Sequence, residues 1–364
     1  MGSRVVMHVD FDYFYVQCEE IRRPELRPKP VCVCVYSERG GDSGAVATAN
    51  YAARKYGAKS GMSITLAKRK LEGRDDAVFL PVDFAHYEKI SESAMGVISS
   101  FADVFEYVGK DEAYLDVTDR TGDDFERAGH LAQQIKNAVR DKAKIGCSIG
   151  VSPNKLVSKI ASDYQKPDGL TIVRRERVEE FLDPLKIRDI PGIGGKTEKH
   201  LAVMNLKTIQ DLRGIDIFDL NREFGRKNGT YIYNAARGID ENPVSRRDAQ
   251  IQYSRISTLK KDSKEYAFLA EYLESMCRDV HHTVSENSQM FKSVGIHLVQ
   301  SDMSVRSKSK VLRAPTMSLG ELKKCADGLL RETLKSQKID IRRLGVRISE
   351  LTEVSGQDDI TSYF

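Results

Sequence analysis

Short apolar runs alternate with polar runs along the chain and predict buried strands together with amphipathic helices. Residues 4–10 have the pattern of a buried strand that ends on the carboxylate of Asp10, and residues 31–36 predict a second strand after a proline-rich break. Residues 104–108 and 113–117 alternate as two strands around a tight connection. The pattern therefore predicts sheet strands whose ends carry acidic residues.

Helical patterns lie between and after these strands. Ser152 with Pro153 predicts the N-cap and first turn of a helix that ends near residue 164. Other helices are predicted over residues 13–20, 50–56, 87–101, 265–283 and 319–335, and around the shared apolar face of Val178, Phe181, Leu182 and Leu185. Strand-like runs at 293–299 and 344–348 flank the last two helices. An α+β chain of 364 residues should contain two to four domains.

Composition excludes membrane and secreted classes of protein. The chain is 30% charged with a mean hydropathy of −0.43, and its longest apolar stretch is far shorter than the ~20 residues of a membrane span. The first residues lack the apolar core and cleavage site of a secretion signal. Six scattered cysteines form no zinc pattern, which indicates reduced structural thiols. We therefore expect a cytoplasmic protein with no membrane partner.

The charge is unevenly distributed along the chain. The net charge is only +4, but residues 250–350 carry 18 lysines and arginines against 12 acidic residues. A basic C-terminal region is a weak indication of nucleic-acid binding, because a solvated surface has the same composition.

Acidic residues at two predicted strand ends are the strongest candidates for chemistry. Two-metal phosphoryl transfer needs carboxylates from different strands that converge on cations ~3.5–4 Å apart, and oxygen ligands suit Mg²⁺ or Mn²⁺. Adjacent residues of a regular strand face opposite ways, so Asp111 and Glu112 can join Asp10 only where a turn or bulge redirects one of them. Most isolated Asp-Glu pairs are solvated turn residues. Asp12 and Asp116 lie nearby in the sequence, and spacing alone does not choose among these carboxylates.

Five motifs in order resemble those of Y-family DNA polymerases, most closely the archaeal type of the DNA polymerase IV branch. They are residues 9–20 (VDFDYFYVQCEE), 43–55 (SGAVATANYAARK), 111–116 (DEAYLD), 150–155 (GVSPNK) and 166–169 (KPDG). The resemblance runs from about residue 5 to residue 350.

The resemblance implies a right-hand polymerase that copies damaged templates at low fidelity. Nucleotidyl transfer would run from a dNTP to the 3′-hydroxyl of a primer on template DNA, in a protein expected to be monomeric. The implied parts are a palm (1–12 and 80–173), fingers (13–79), a helical thumb with a helix-hairpin-helix (174–240), a linker (241–251), an α+β little finger (252–350) and a flexible tail (351–364).

The resemblance also implies roles for individual residues. Two Mg²⁺, or Mn²⁺ as a substitute, would be held by the carboxylates of Asp10, Asp111 and Glu112 and by the backbone carbonyl of Phe11. The implied dNTP contacts are Tyr13, Phe14, Tyr15, Thr48, Tyr51, Arg54 and Lys166, of which Thr48, Tyr51 and Arg54 would share a helical face if the helix starts early enough. Tyr15 would also exclude ribonucleotides, and Gly44, Ala45 and Ala47 would form a roof over the templating base.

One position departs from the family pattern. Gly109-Lys110 stands before Asp111, where many relatives have Ser and an apolar residue. The added charge is expected to lower the pKa of the neighbouring carboxylates or to form a salt bridge.

Two further patterns indicate contacts with the DNA backbone. Gly192 and Gly194 lie between two short helices, where their backbone N–H groups would approach a phosphate, although a plain connecting turn has the same sequence. In the basic region, Arg306 and Lys308 lie on an alternating polar run, and Arg342 and Arg343 precede a strand. These cations would follow the phosphates, or else protect an edge strand from aggregation.

The last residues resemble the clamp-binding box of archaeal and eukaryotic replication proteins. Gln357, Ile360 and Tyr363 are spaced by three, and Phe364 completes an aromatic pair. The implied partner is the sliding clamp; a frayed terminus that matches by chance is the alternative.

Two other functions compete with template-directed synthesis. A nucleotidyl cyclase can use paired carboxylates on a similar palm, but would lack the glycine hairpin and the basic last domain. A catalytically silent adaptor that binds DNA and the clamp would be expected to have lost a carboxylate of the trio, and all three are present.

Overall fold

The computed structural model describes residues 4–246 and 250–353. These residues form two compact units: the first comprises the described parts of Met1–Val35 and Ala45–Asp248, and the second those of Tyr36–Gly44 and Ala249–Phe364. Within the described part of the chain, no helix is long and apolar enough to cross a membrane. All six cysteines lie among the described residues, and none of them forms a disulfide bond.

The strands, in chain order, are β1 (Val6–Phe11), β2 (Val31–Tyr36), β3 (Gly44–Ala49), β4 (Val78–Pro81), β5 (Val104–Tyr107), β6 (Glu112–Asp116), β7 (Cys147–Ser152), β8 (Leu170–Ile172), β9 (Gln252–Ser263), β10 (Gln289–Gln300), β11 (Val305–Thr316) and β12 (Ile341–Glu353). The α-helices are α1 (Phe14–Arg22), α2 (Tyr51–Arg54), α3 (Ile64–Lys70), α4 (Phe84–Ser99), α5 (Thr118–Thr121), α6 (Phe125–Ala143), α7 (Lys155–Tyr164), α8 (Val178–Leu182), α9 (Gly195–Val203), α10 (Ile209–Arg213), α11 (Ile217–Ala236), α12 (Tyr266–Glu286) and α13 (Leu319–Leu334).

A five-stranded sheet of order β5-β6-β1-β7-β8 is the centre of the first unit. Strand β1 is antiparallel to both β6 and β7, and its register places Asp10 opposite Glu112. Helix α7 packs on β1 and β7, and Gly150 makes that approach possible, because a Cβ there would lie 2.0 Å from the carbonyl oxygen of Ser158. The central sheet and α7 therefore determine which side chains meet the carboxylates.

The start of α7 differs from the prediction. The N-cap is Asn154, whose side chain accepts from the N–H of Val157, whereas Ser152 is the last residue of β7 and its hydroxyl donates to the carbonyl of Asn154. Both residue types cap helices well. The buried run of β7 extends through Ser152, so the helix starts two residues later than predicted.

A second, three-stranded sheet of order β3-β2-β4 lies between α1 and α4 in sequence. Thr48 belongs to β3, and α2 begins only at Tyr51 because Asn50 caps it by accepting from the N–H of Ala53. The predicted helical face shared by Thr48, Tyr51 and Arg54 is therefore wrong.

Helices α8 to α11 form a second core together with apolar residues of α7. Val178 and Leu182 are buried in it, and Phe181 and Leu185 pack against it, but α8 ends at Leu182, so Leu185 lies beyond the predicted helical face. The predicted linker is held against the first unit, since the side chain of Val244 is buried against Val6 and Tyr114, and the N–H of Ser245 donates to Glu106 Oε2 at 3.0 Å.

The second unit contains a four-stranded sheet of order β11-β10-β12-β9. Helices α12 and α13 pack on one face of this sheet, over a core of aliphatic residues. Strand β12 continues to Glu353, with Leu351 opposite Phe291, so the predicted tail cannot begin at residue 351.

Candidate active site

Asp10 and Glu112 lie side by side at the centre of the five-stranded sheet. Asp10 is near the end of β1 and Glu112 is the first residue of β6, directly opposite in the register. Asp111 precedes the strand, in a turn closed by hydrogen bonds from the N–H groups of Val108 and Gly109 to the carbonyl of Glu112. The carbonyl of Asp111 also accepts from the N–H of Phe11 at 2.8 Å. Asp111 therefore lies in a turn and not in the regular strand. A turn at this position is what Asp111 and Glu112 need if their side chains are to share one site.

Two lysines neutralise these carboxylates. Lys166 Nζ lies 2.5 Å from Asp10 Oδ1 and 2.7 Å from Asp163 Oδ1, and Lys159 forms an ion pair with Glu112. Contacts with His8 and Lys159 hold the pKa of Glu112 at about 2, against the opposing effect of burial. Burial raises the pKa of Asp10 despite Lys166, and burial together with the charge of Glu112 raises the pKa of Asp111. Carboxylate oxygens of Asp10 and Glu112 lie within 4.8 Å of each other and of a His8 ring nitrogen, and this group, found among the described residues, does not include Asp111.

His8 and Lys159 contact the carboxylates although no sequence motif predicted them. His8 lies two positions before Asp10 on β1, so both side chains lie on the same face of the sheet. His8 is fully buried, and burial lowers the pKa of its imidazole, which favours the neutral ring. Its Nε2 atom is 3.2 Å from Glu112 Oε2. Strand alternation around Asp10 could have identified His8, whereas no local pattern indicates Lys159, because its contact with Glu112 depends on how α7 packs on the sheet.

The structure separates the two alternative carboxylates from the site. Asp12 is buried and accepts from the hydroxyl of Ser148 at 2.9 Å and from the N–H of Asp168 at 2.8 Å, which holds the loop after α7. Asp116 accepts from the backbone and hydroxyl of Thr118. Both are therefore structural.

Lys110 forms a salt bridge, but not with the site. Its ammonium group lies 2.9 Å from Glu88 Oε1 on α4, and its carbonyl accepts from the hydroxyl of Ser91. The expectation that Lys110 lowers the pKa of the neighbouring carboxylates is wrong for Asp111, because burial and Glu112 raise that pKa.

Several predicted nucleotide contacts form an aromatic and cationic cluster. The rings of Tyr13 and Tyr51 meet edge to face at 5.4 Å, and the guanidinium of Arg54 lies 4.8 Å from the centre of the Tyr51 ring. The hydroxyl of Tyr51 is buried without a hydrogen-bond partner, and burial raises its pKa to about 12. A buried hydroxyl without a partner is costly unless a ligand accepts from it.

The side chains of Phe11 and Phe14 cannot reach a ligand. Each is only 2% exposed and belongs to the core of the first unit. The predicted metal contact of Phe11 uses its backbone carbonyl and is unaffected, whereas a nucleotide contact of Phe14 would have to use its backbone.

The predicted roof residues lie on strand β3. Ala45 and Ala47 alternate with Val46, whose side chain is buried in the core of the small sheet, and Gly44 begins the strand with a φ of 150°. The small side chains thus lie on the face of β3 opposite Val46.

The predicted helix-hairpin-helix contains a left-handed glycine and a helix start. Gly192 has a φ of 83°, which favours glycine. Gly194 precedes α9 and offers no side-chain acceptor to the N-terminal N–H groups of that helix.

The four predicted arginine and lysine contacts of the second unit do not lie on one face. Arg306 and Lys308 pair with Leu298 and Ile296, which belong to the helix-covered core, and Lys308 binds Glu332 of α13 at 2.5 Å. Arg343 alternates with the core residue Leu344 and therefore lies on the open face. Arg342 is 3.9 Å from Asp262.

The predicted clamp-binding residues Gln357, Ile360, Tyr363 and Phe364 lie outside the described residues.

Family models match most of the chain. Residues 9–163 match the impB/mucB/samB family, residues 188–240 match the thumb domain of DNA polymerase iota, and residues 250–361 match the C-terminal domain of the impB/mucB/samB family.

Full-length relatives and solved structures agree with these matches. The chain is 65% identical over 364 residues to DNA polymerase IV of Nitrosopumilus maritimus and 39% identical over 369 residues to DNA polymerase IV of Methanosarcina acetivorans, with 100% of each chain covered. Among solved structures, a Y-family DNA polymerase chimera of Dbh and Dpo4 is 33% identical with a TM-score of 0.88, covering 96% of this chain and 99% of the other. An insertion ternary complex of Dbh DNA polymerase is 33% identical with a TM-score of 0.69, covering 96% of this chain and 99% of the other.

The fold is therefore that of a right-hand nucleotidyl-transferring polymerase. The chain belongs to the Y family of translesion DNA polymerases, in the DNA polymerase IV branch. The α+β fold class and the family inferred from the motifs are confirmed.

Proposed function

We propose that this protein extends a DNA primer by two-metal nucleotidyl transfer from a dNTP, copies damaged templates and does so with low fidelity. The observation that carries the proposal is the pairing of Asp10 with Glu112 across two strands, with Asp111 in the adjoining turn. All three donors are carboxylates, which suit Mg²⁺, with Mn²⁺ as a substitute. The two lysine ammonium groups on Asp10 and Glu112 support a site that holds cations.

The residues that would hold the cations are Asp10, Asp111 and Glu112, with the carbonyl of Phe11. When bound, such cations activate the primer hydroxyl and neutralise the leaving pyrophosphate. Lys159 and Lys166 must release the carboxylates before cations bind them. Lys166 is then free to contact the triphosphate of a dNTP.

The cluster of Tyr13, Tyr51 and Arg54 is the other part of the proposed triphosphate site. The unpartnered hydroxyl of Tyr51 can donate to a phosphate oxygen, and Arg54 offers a planar fork of donors nearby. Thr48, near the end of β3, is also proposed to contact the dNTP. Tyr15 is proposed to exclude the 2′-hydroxyl of ribonucleotides, and Gly44, Ala45 and Ala47 to leave room for distorted template bases.

The open face of the four-stranded sheet is the proposed DNA surface of the second unit. Arg347 is exposed on this face, and its side chain passes over Gly295. A Cβ added at Gly295 would lie 3.6 Å from Arg347 Nε. Arg343 lies on the same face, and His297 binds Ser307 beside them at 2.8 Å. Two arginines on one open face, one of them over a glycine, would bind a phosphate backbone. The glycine turn of Gly192 and Gly194 would add a contact through backbone N–H groups. The predicted domain ranges belong to the same proposal, with the last domain extended to Glu353.

The C-terminal residues Gln357, Ile360, Tyr363 and Phe364 are proposed to bind a sliding clamp. The support is their sequence spacing alone.

Primer extension tests the central proposal. The protein is incubated with a labelled primer–template, Mg²⁺ and dNTPs, and the single variants Asp10→Ala and Asp111→Ala are measured beside it. Each variant should lose several orders of magnitude in rate while retaining DNA binding. Asp116→Asn, on the same strand as Glu112 but outside the site, should retain extension. Near-normal extension by either alanine variant would contradict the site, and a cyclic nucleotide product would contradict the reaction.

A further inference from the structure

Lys136 of α6 is a buried lysine that the proposed reaction does not use. Its side chain is only 5% exposed, and a buried charge is costly unless neighbouring groups compensate it. Among the described residues, every hydrogen bond and ion pair of this ammonium group goes to Asp168 or Gly169. It donates to both of their carbonyls and lies 3.1 Å from Asp168 Oδ1. Lys136 therefore binds the turn of residues 166–169, which follows α7.

The central sheet holds the same turn from the other side of its backbone. The N–H of Asp168 donates to Asp12 Oδ2 at 2.8 Å, and the N–H of Gly169 donates to the hydroxyl of Ser148 at 3.1 Å. Together with the carbonyl contacts of Lys136, these bonds satisfy all the backbone N–H and carbonyl groups of Asp168 and Gly169. Asp168 has a φ of 56°, in the left-handed region that residues other than glycine rarely adopt. Contacts from outside the turn therefore stabilise its conformation.

A second cation of α6 binds the carboxylate in this turn. Arg140 lies one helical turn after Lys136, and its Nη2 atom is 2.8 Å and 2.9 Å from the two carboxylate oxygens of Asp168. The side chain of Arg140 is 51% exposed, so solvent weakens this ion pair. The buried Lys136 is therefore the stronger of the two connections between α6 and the turn.

The turn begins with Lys166, one of the proposed contacts of the dNTP. In the structure the ammonium group of Lys166 lies 2.5 Å from Asp10 Oδ1. After Lys166 has left Asp10, as the proposed function requires, the backbone of the turn fixes where the lysine side chain begins. A lysine side chain is long and flexible, so its contact with a triphosphate depends on that fixed starting point.

We propose that Lys136 is a positioning residue of the dNTP site. It holds the backbone of the turn from α6, and the turn presents Lys166 to the triphosphate. The inference rests on the proposed function, because the nucleotide contact of Lys166 is part of that function. Lys136 is too buried to touch a nucleotide itself. Its loss should therefore weaken dNTP binding through Lys166 and leave the reaction of a bound dNTP largely unchanged.

Single-nucleotide insertion by the full-length protein on a primer–template with Mg²⁺ tests this role. Lys136→Met removes the charge and the donors but keeps an unbranched side chain. Its KM for the correct dNTP should rise about 10-fold while kcat stays within about twofold, because a charge-assisted hydrogen bond to phosphate is weakened. The matched control Lys142→Met removes an exposed lysine of the same helix and should change neither constant. An unchanged KM in Lys136→Met would overturn the proposal.

A double variant separates positioning from a general effect on the fold. Lys166→Ala removes the group that Lys136 is proposed to position, so adding Lys136→Met to Lys166→Ala should raise KM no further. If Lys136→Met raises KM as much in that background as in the unchanged chain, Lys136 acts independently of Lys166 and the proposal is wrong.

A second variant keeps the test valid where Lys136→Met does not fold. Arg140→Gln removes the exposed cation from the same turn and should raise KM about threefold, the order expected for an exposed ion pair. Its control is Arg127→Gln, because Arg127 is on the same helix and 72% exposed. Arg127→Gln should leave KM unchanged, and equal KM values for Arg140→Gln and Arg127→Gln would contradict the role of the turn.

The unchanged protein separates this inference from the proposed function. If it extends no primer, the polymerase function is rejected and the nucleotide role of Lys136 with it. If it extends primers and the variants leave KM unchanged, the positioning role alone is rejected.

Discussion

The ring of Tyr15 stacks on the ring of Tyr87, with 4.6 Å between ring centroids and 17° between planes. Tyr87 is itself fixed, because it is fully buried and its hydroxyl donates to Glu19 Oε1 at 2.7 Å. Glu19 also binds Arg22 and Arg23. The proposed ribonucleotide-excluding ring therefore rests on a buried, hydrogen-bonded support.

Removing the Tyr15 ring should relax sugar selection. Tyr15→Ala is expected to raise incorporation of ribonucleotides while dNTP incorporation is largely kept, because the ring would collide with a 2′-hydroxyl. Single-nucleotide insertion with matched dNTP and rNTP measures the effect. Tyr15→Phe keeps the ring and should keep selection. A parallel loss of both activities in Tyr15→Ala would show that the ring only packs.

The Glu19 carboxylate should stabilise the fold in a pH-dependent way. Burial raises its pKa, but hydrogen bonds from Arg22, Tyr87 and Arg23 outweigh burial and bring the pKa below its ordinary value of 4.5. A carboxyl group with a lowered folded pKa contributes stability above its unfolded pKa, and that contribution is lost as the pH falls through the folded pKa. Glu19→Gln should therefore lower the free energy of unfolding by about 2 kcal/mol at pH 7. The loss should become smaller as the pH falls below the ordinary glutamate pKa of 4.5.

Urea unfolding of both proteins at pH 7 and at acidic pH measures this difference. Glu88→Gln is the matched control, because Glu88 pairs with Lys110 at the surface and is 54% exposed, where an ion pair contributes little. A Glu19→Gln cost that stays constant with pH would argue against the ionic role of Glu19.

The sequence predicted the parts of the site that lie within one motif. Asp10 at a strand end and the turn at Asp111 follow from local patterns, and the family motifs indicate their roles. Strand alternation also places His8 on the face of β1 that carries Asp10, but Lys159 could not be placed in this way, because its contact with Glu112 depends on how α7 packs across β1. The choice of Asn154 over Ser152 as a cap depends on where β7 ends, and the partner of Lys110 depends on the position of α4. Such long-range packing is absent from any single window of sequence.

The two faces of the four-stranded sheet should differ in DNA binding. Arg347→Ala removes an exposed cation from the open face, so affinity should fall and the slope of log affinity against log salt should decrease by about 1. Lys308→Ala removes a lysine that already pairs with Glu332 on the helix-covered side, and should change that slope little. Fluorescence anisotropy with duplex DNA at several salt concentrations gives both slopes. A larger effect of Lys308→Ala than of Arg347→Ala would show that DNA binds at the β11 edge and not on the open face.

Deleting residues 357–364 should separate clamp binding from synthesis. The deleted segment holds Gln357, Ile360, Tyr363 and Phe364 but none of the carboxylates or cations assigned to the reaction. Synthesis without the clamp should therefore be unchanged. Addition of a sliding clamp should stimulate the full chain, because tethering raises the local concentration of the polymerase at the primer end without new DNA contacts. The double variant Tyr363→Ala, Phe364→Ala in the full chain should behave like the deletion, since the aromatic pair would fill the apolar pocket. Clamp stimulation that persists in both proteins would show that the clamp is bound through another part of the chain.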